Sequence, residues 1–108
     1  MSLPHLDDPT TYERIDPLGM RERIAELPAH CVDAWRLARS LVLPEDYRGV
    51  REVVVLGMGG SAIGGALVSA LVAEECPVPI LCVGGYDLPA HAGPETLVVG
   101  SSYSGKTE

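Results

Sequence analysis

Positive charge is scarce in this sequence: Lys and Arg number 8 against 15 Asp and Glu, for a net charge of −7. A nucleic-acid ligand needs a basic footprint to displace counterions from its phosphates, so the composition argues against that class of partner. The same scarcity limits how any anion is held. With no general positive field, a phosphate must be gripped locally by backbone N–H groups and hydroxyls. Cysteines are few as well. Cys31, Cys76 and Cys82 are an odd number without C-x-x-C spacing, which fits buried free thiols in a reducing cytoplasm. Long apolar runs are missing: none approaches the roughly 18–20 residues of a membrane span. The first dozen residues hold Pro4, Asp7 and Asp8 where a secretory signal needs an apolar stretch. A cytoplasmic protein with no membrane partner is expected.

What is present is globular in character. The 108 residues are 46% hydrophobic and 21% charged, the balance of one domain or part of one. Residues 1–12 read as a loosely packed arm. From Ile15 to Val42 the spacing is helical: Met20, Ile24 and Leu27 share one face, and Cys31, Trp35, Ala38 and Leu41 share another. Pro28 lies between the two sets and is placed to open the second helix. Pro44, Asp46 and Gly49 then break the pattern.

The texture changes at Glu52. Val53–Leu56 is a continuous β-branched run, the mark of a strand buried on both faces. A glycine cluster follows, then a helix-length apolar segment from Ala62 to Glu75, stopped at Cys76-Pro77. Ile80–Val83 and Thr96–Val99 read as two more strands, joined by a Gly- and Pro-rich loop. Strand, crossover helix and strand with unbroken apolar strands predict a parallel sheet. Three strands with an open edge are expected to aggregate or to need a partner.

Two loops carry the candidate chemistry. Gly57–Ser61 joins the first strand to the helix, where glycines let a ligand approach the backbone and the helix start favours an anion. Gly57, Gly59 and Ala62 also fit the dinucleotide pattern Gly-x-Gly-x-x-Ala. The acid that pattern needs after the second strand is absent, since Gly84 and Gly85 stand there and Asp87 comes late. The second loop, Gly100–Thr107, offers the hydroxyls of Ser101, Ser102, Ser104 and Thr107. In a sheet ordered 2-1-3 the two loops face one crevice at the topological switch point. Gly100 to Thr107 also satisfies G-x-x-x-x-G-K-[ST], which in a P-loop puts Lys106 on nucleotide phosphates and Thr107 on Mg²⁺.

Three stretches together are specific: Gly57-Met58-Gly59-Gly60-Ser61 after Val53–Leu56, then Gly85-Tyr86-Asp87-Leu88-Pro89-Ala90, then Leu97 to Glu108 with Ser102-Tyr103-Ser104-Gly105. With Asp16-Pro17-x-Gly19-Met20 and Leu27-Pro28 near the start, the sequence resembles the bifunctional phosphoglucose/phosphomannose isomerases of the sugar-isomerase (SIS) superfamily. The resemblance implies an α/β fold. Residues 1–50 would be an N-terminal helical arm. Residues 51–108 would be the first part of a doubly wound parallel-sheet SIS domain with flavodoxin-like strand order. It further implies a homodimer and a reaction without cofactor or metal that interconverts fructose 6-phosphate with glucose 6-phosphate or mannose 6-phosphate. In that reaction a base moves a proton between C1 and C2 through an enediol.

Carried over by position, Gly60 and Ser61 are similar to the family's substrate contacts, and Ser102, Ser104 and Thr107 to its phosphate clamp. Lys106 departs from the family's usual Asn. A lysine there either strengthens anion binding or points into solvent, and solvent is the expectation. The glutamate of S-x-S-G-x-T-x-E falls one residue beyond Glu108, and the family's catalytic glutamate, histidine, lysine and arginine lie further on. The chain is therefore expected to be a truncated domain, inactive by itself. His5, His30 and His91 are expected to be solvated rather than catalytic. Two other readings stay open: a non-catalytic SIS phosphosugar sensor, and a P-loop nucleotide-binding module.

Overall fold

A computed structural model describes residues 5–106 of the chain. It divides into two compact units, Met1–Val42 and Leu43–Glu108. The first unit is helical: α1 spans Pro9–Ile15, α2 Met20–Ala25 and α3 Leu27–Ser40. Helix α1 lies in what reads from sequence as a loose arm. Its signal is a cap: Asp8 Oδ1 accepts from Thr10 N–H at 2.9 Å, and Pro9 occupies the first turn, where its missing N–H costs nothing.

The Asp16-to-Met20 turn is a second cap. Gly19 takes the left-handed conformation at φ 67° and lets the Asp16 carboxylate turn back on the start of α2. Its two oxygens accept from Met20 N–H and Arg21 N–H, each at 2.8 Å. The Arg21 guanidinium then lies over the Tyr12 ring, 4.4 Å from its centre. Pro28 stands in the first turn of α3, as the spacing predicts. Burial departs from expectation here. Trp35 is 66% exposed, and Leu37, Leu41 and the Cys31 thiol are exposed with it. The expectation of buried thiols fails for Cys31; Cys76 and Cys82 are half-buried.

The second unit begins with a 3₁₀ turn at Glu45–Gly49 and continues into strand β1, Glu52–Leu56. Helix α4 (Gly60–Leu71), β2 (Ile80–Val83) and β3 (Thr96–Gly100) follow. The sheet is parallel in the order β2-β1-β3. Val53 pairs with Ile80 and Leu97, and Leu56 with Val83 and Gly100. The central strand alone is buried, with Val54 fully inaccessible and Val55 nearly so. The outer strands are half-covered edges, so burial on both faces holds for β1 and not for Leu81, Val98 or Val99.

Helix α4 covers β1 and β2. It reaches Leu71 rather than Glu75, and a further turn carries the chain to Cys76, whose N–H donates to Val72 O at 2.8 Å. Ser69 Oγ donates to Ile80 O at 3.0 Å and pins the helix to the edge strand. Close approach depends on Gly65: a Cβ there would lie 2.8 Å from Val55 Cγ1 and 3.0 Å from Cys82 Sγ. Gly64, grouped with it by sequence, has no such neighbour. Among the described residues no helix is long and apolar enough to cross a membrane.

Two expected outcomes follow from this packing. Gly65→Ala forces α4 off the sheet and destabilises the second unit by about 1–3 kcal/mol, whereas Gly64→Ala, free of any clash, gains helix propensity and is neutral or stabilising; thermal melts of the two variants give the comparison. In the first unit the Asp16 carboxyl is held below its ordinary value of 3.8, chiefly by Arg21 N–H and then Met20 N–H, with a smaller push from the Arg23 charge. A carboxyl lowered on folding stabilises the cap above the ordinary value and loses that effect as pH falls through the folded value. The Met20 and Arg21 amide resonances should therefore titrate together with a midpoint below 3.8, and Asp16→Ala should abolish that titration.

Candidate functional site

The carboxyl ends of β1 and β3 are adjacent, and the chain leaves both at the same height. Ser101 N–H donates to Leu56 O at 2.8 Å, which extends the β1–β3 ladder by one step. Gly57 N–H does the same toward Val83 O of β2 at 3.2 Å. Beyond these bonds the two Gly/Ser loops turn upward and face each other across one crevice of about 730 Å³. Met58, Gly60, Ser61 and Gly64 form one wall, and Ser101 and Ser102 belong to the other. Tyr103 N–H donates to Ser61 Oγ across the gap, a long bond of 3.4 Å between residues 42 apart in sequence.

The first loop is built by two glycines. Gly59 caps α4 at φ 55°, ψ −125°, a conformation closed to L side chains. Gly57 has no room for a Cβ, which would sit 3.0 Å from Ala62 N. Ser61 N–H and Ala62 N–H turn back on Met58 O and Gly59 O at 3.1 and 3.2 Å. The amides expected to be unpaired at the helix start are thus partly used inside the turn. Among the described residues, Gly59 N–H and Gly60 N–H have no backbone partner at the positive end of the α4 dipole, and Gly60 lines the crevice.

The second loop is held by its own hydroxyls. Ser102 Oγ accepts from Gly105 N–H at 3.0 Å, and Ser104 Oγ accepts from Lys106 N–H at 3.2 Å. Gly105, at φ 65°, makes the reversal between them. A serine oxygen that accepts a backbone N–H still has a proton to donate, so Ser104 keeps a donor for an acceptor outside the loop. Of the five residues singled out by sequence, Gly60, Ser61 and Ser102 line the same crevice. Ser104 is not among its lining residues, and Thr107 lies outside the described residues. Ser101, named from sequence among the hydroxyls of the second loop, also faces it, as do Met58 and Tyr103, which were not singled out. The bare pattern holds a signal for Ser101, as the residue directly after a strand end, and none for Met58.

The histidines are elsewhere. His91 Nε2 is 2.5 Å from Glu52 Oε1 at the amino ends of the strands, opposite the crevice. The other Glu52 oxygen accepts from Thr96 Oγ1 at 3.2 Å, and that hydroxyl in turn accepts from Gly93 N–H. This network fastens the β2–β3 connection to the sheet, so His91 is paired rather than simply solvated. No Asp, Glu or His lines the crevice among the described residues, and no cluster of metal-ligating side chains occurs among them.

Two curated proteins are similar to the chain. A bifunctional phosphoglucose/phosphomannose isomerase of Caldicellulosiruptor bescii is 37% identical over 89 residues, 82% of this chain and 26% of that protein. A protein of the same description from Thermoplasma volcanium is 39% identical over 57 residues, 53% of this chain and 18% of that one. The chain thus spans about a quarter of the length of the first relative and less of the second. No protein-family model matches it, and no solved structure does. The description that both relatives carry is that of the family the sequence resembles.

The cross-loop contact has a direct test. Ser61→Ala removes the acceptor for Tyr103 N–H without touching either strand. The Tyr103 amide should then exchange with solvent about three- to fivefold faster, the effect of one modest hydrogen bond, while the Val54 amide keeps its protection.

Proposed function

We propose that this relative of the bifunctional phosphoglucose/phosphomannose isomerases supplies the sugar-phosphate-holding part of an aldose–ketose isomerase. Its sheet would then be the first part of a doubly wound SIS domain. The observation that carries the reading is the convergence of the Gly57–Ser61 and Gly100–Lys106 loops on one crevice, bridged by Tyr103 N–H and Ser61 Oγ. In that reading Ser102, Ser104 and Thr107 hold the phosphate. Gly60 and Ser61 contact the sugar, with the dipole of α4 aimed at the anion. Glucose and mannose phosphates are the ligands the relatives' description points to, and fructose 6-phosphate is the ketose that the sequence resemblance adds.

The reaction itself moves a proton between C1 and C2, which needs a group with a lone pair to take it and return it. The crevice offers hydroxyls, amides and apolar side chains, and no carboxylate or imidazole. In this proposal the lining residues bind and orient the sugar phosphate. Binding and turnover separate cleanly on this account.

Fructose 6-phosphate at millimolar concentration should raise the melting temperature of the chain, and fructose should not. Ser104→Ala should lose most of the increase, because it removes one donor to the phosphate at about 1.5–3 kcal/mol for a charge-assisted bond. A melting temperature indifferent to every sugar phosphate would end the proposal.

A further inference from the structure

Lys106 closes the described part of the second crevice loop without lining the crevice itself. Lys106 is the only lysine in the sequence, and no arginine occurs after Arg51. From Glu52 onward it is the sole fixed positive charge, set against Glu52, Glu74, Glu75, Asp87, Glu95 and Glu108. Three of the arginines are engaged in ion pairs: Arg36 with Asp33, Arg48 with Glu45 and Arg51 with Glu95, at 3.2–3.4 Å. Among the described residues the Lys106 ammonium has no carboxylate partner. Its backbone is fixed all the same. The reversal at Gly105 and the bond from Lys106 N–H to Ser104 Oγ at 3.2 Å hold the residue beside a hydroxyl of the crevice loop.

We infer that Lys106 is the residue that draws the phosphate to the crevice, setting the affinity and the salt dependence of sugar-phosphate binding. The inference rests on the reading given under Proposed function and adds a residue to it. The reasoning is electrostatic. A phosphate dianion approaching a chain of net charge −7 is repelled by the molecule as a whole. One ammonium on a flexible four-carbon stem, rooted at the loop that receives the anion, reverses the potential there. It needs no fixed contact to do so. Charges at the rim of a site act through water, chiefly on the rate of association, and salt screens them over about 10 Å at 0.1 M. A side chain directed into solvent is therefore compatible with this role. The P-loop pattern of Gly100–Thr107 acquires a simpler meaning: its lysine serves the phosphate of a sugar.

The test is calorimetric titration of the whole chain with fructose 6-phosphate, inorganic phosphate and fructose, at low and at high ionic strength. Lys106→Gln should bind both phosphates about three- to fivefold more weakly than wild type at low salt. The two proteins should converge at high salt, and Lys106→Arg should behave as wild type. Equal affinity and equal salt dependence of wild type and Lys106→Gln would overturn the inference. A wild type that binds inorganic phosphate as well as fructose 6-phosphate, with Lys106→Gln weakening both, sustains the role of Lys106 and removes the sugar reading. Failure of the wild type to bind either phosphate overturns both. Lys106 is also the only ε-amine, so its labelling by an amine-reactive reagent, read by mass spectrometry, should slow when inorganic phosphate is present. Unchanged labelling under saturating phosphate counts against the inference.

Discussion

Where Leu56 pairs with Gly100, strands β1 and β3 end together, and everything the crevice contains is suspended from that step. Parallel strands present their carboxyl ends at the same side of the sheet. Adjacency of β1 and β3 therefore delivers the glycine turn before α4 and the serine loop after β3 to one place. Ser101 N–H on Leu56 O closes the ladder just below them. Had β2 stood between the two strands, the loops would lie two strand spacings apart, roughly 10 Å, and Tyr103 N–H would not reach Ser61 Oγ. Val54, at the middle of β1, is the one fully buried large side chain among the described residues, so the same strand that anchors the core also orders the site.

Helix α4 is set by a second constraint, the absence of a side chain at Gly65. Backbone contact with Val55 and Cys82 brings the helix down on β1 and β2. Ser69 holds its far end at Ile80. With both points fixed, the start of the helix projects over the carboxyl end of β1, where Gly57 and Gly59 make a turn that no larger residue fits. The opposite end of the sheet is tied by polar contacts instead. Glu52 receives both His91 and Thr96 and fastens the loop entering β3. Packing places the donors of the crevice, and the Glu52 network keeps β3 in register beneath them.

Chemically the crevice is one-sided. It has glycine amides, serine hydroxyls and the start of a helix dipole, all of them complementary to negative charge. It has no group among the described residues that takes up a proton near neutral pH. Such a surface suits the phosphate end of the ligand proposed above.

Much of this was legible in the residues themselves. The β-branched runs at Val53–Leu56, Ile80–Val83 and Thr96–Val99 mark the strands to within a residue, because continuous apolar character is what a covered parallel strand requires. The glycine and serine clusters announce anion-accepting loops, because only small or hydroxylic residues let backbone donors reach a ligand. Helix α1 was missed, because its brevity conceals it from any periodicity and the arm around it reads as loosely packed. What the sequence could not decide is a matter of neighbours at long range. That Gly65 touches Val55 while Gly64 touches nothing depends on the rotation of α4 against the sheet. That Trp35 and Cys31 are exposed depends on what covers α3. The pairing of His91 with Glu52, 39 residues apart, depends on how the β2–β3 connection returns beneath the sheet. Local chemistry names the elements and their donors; the order of the strands alone determines which donors meet.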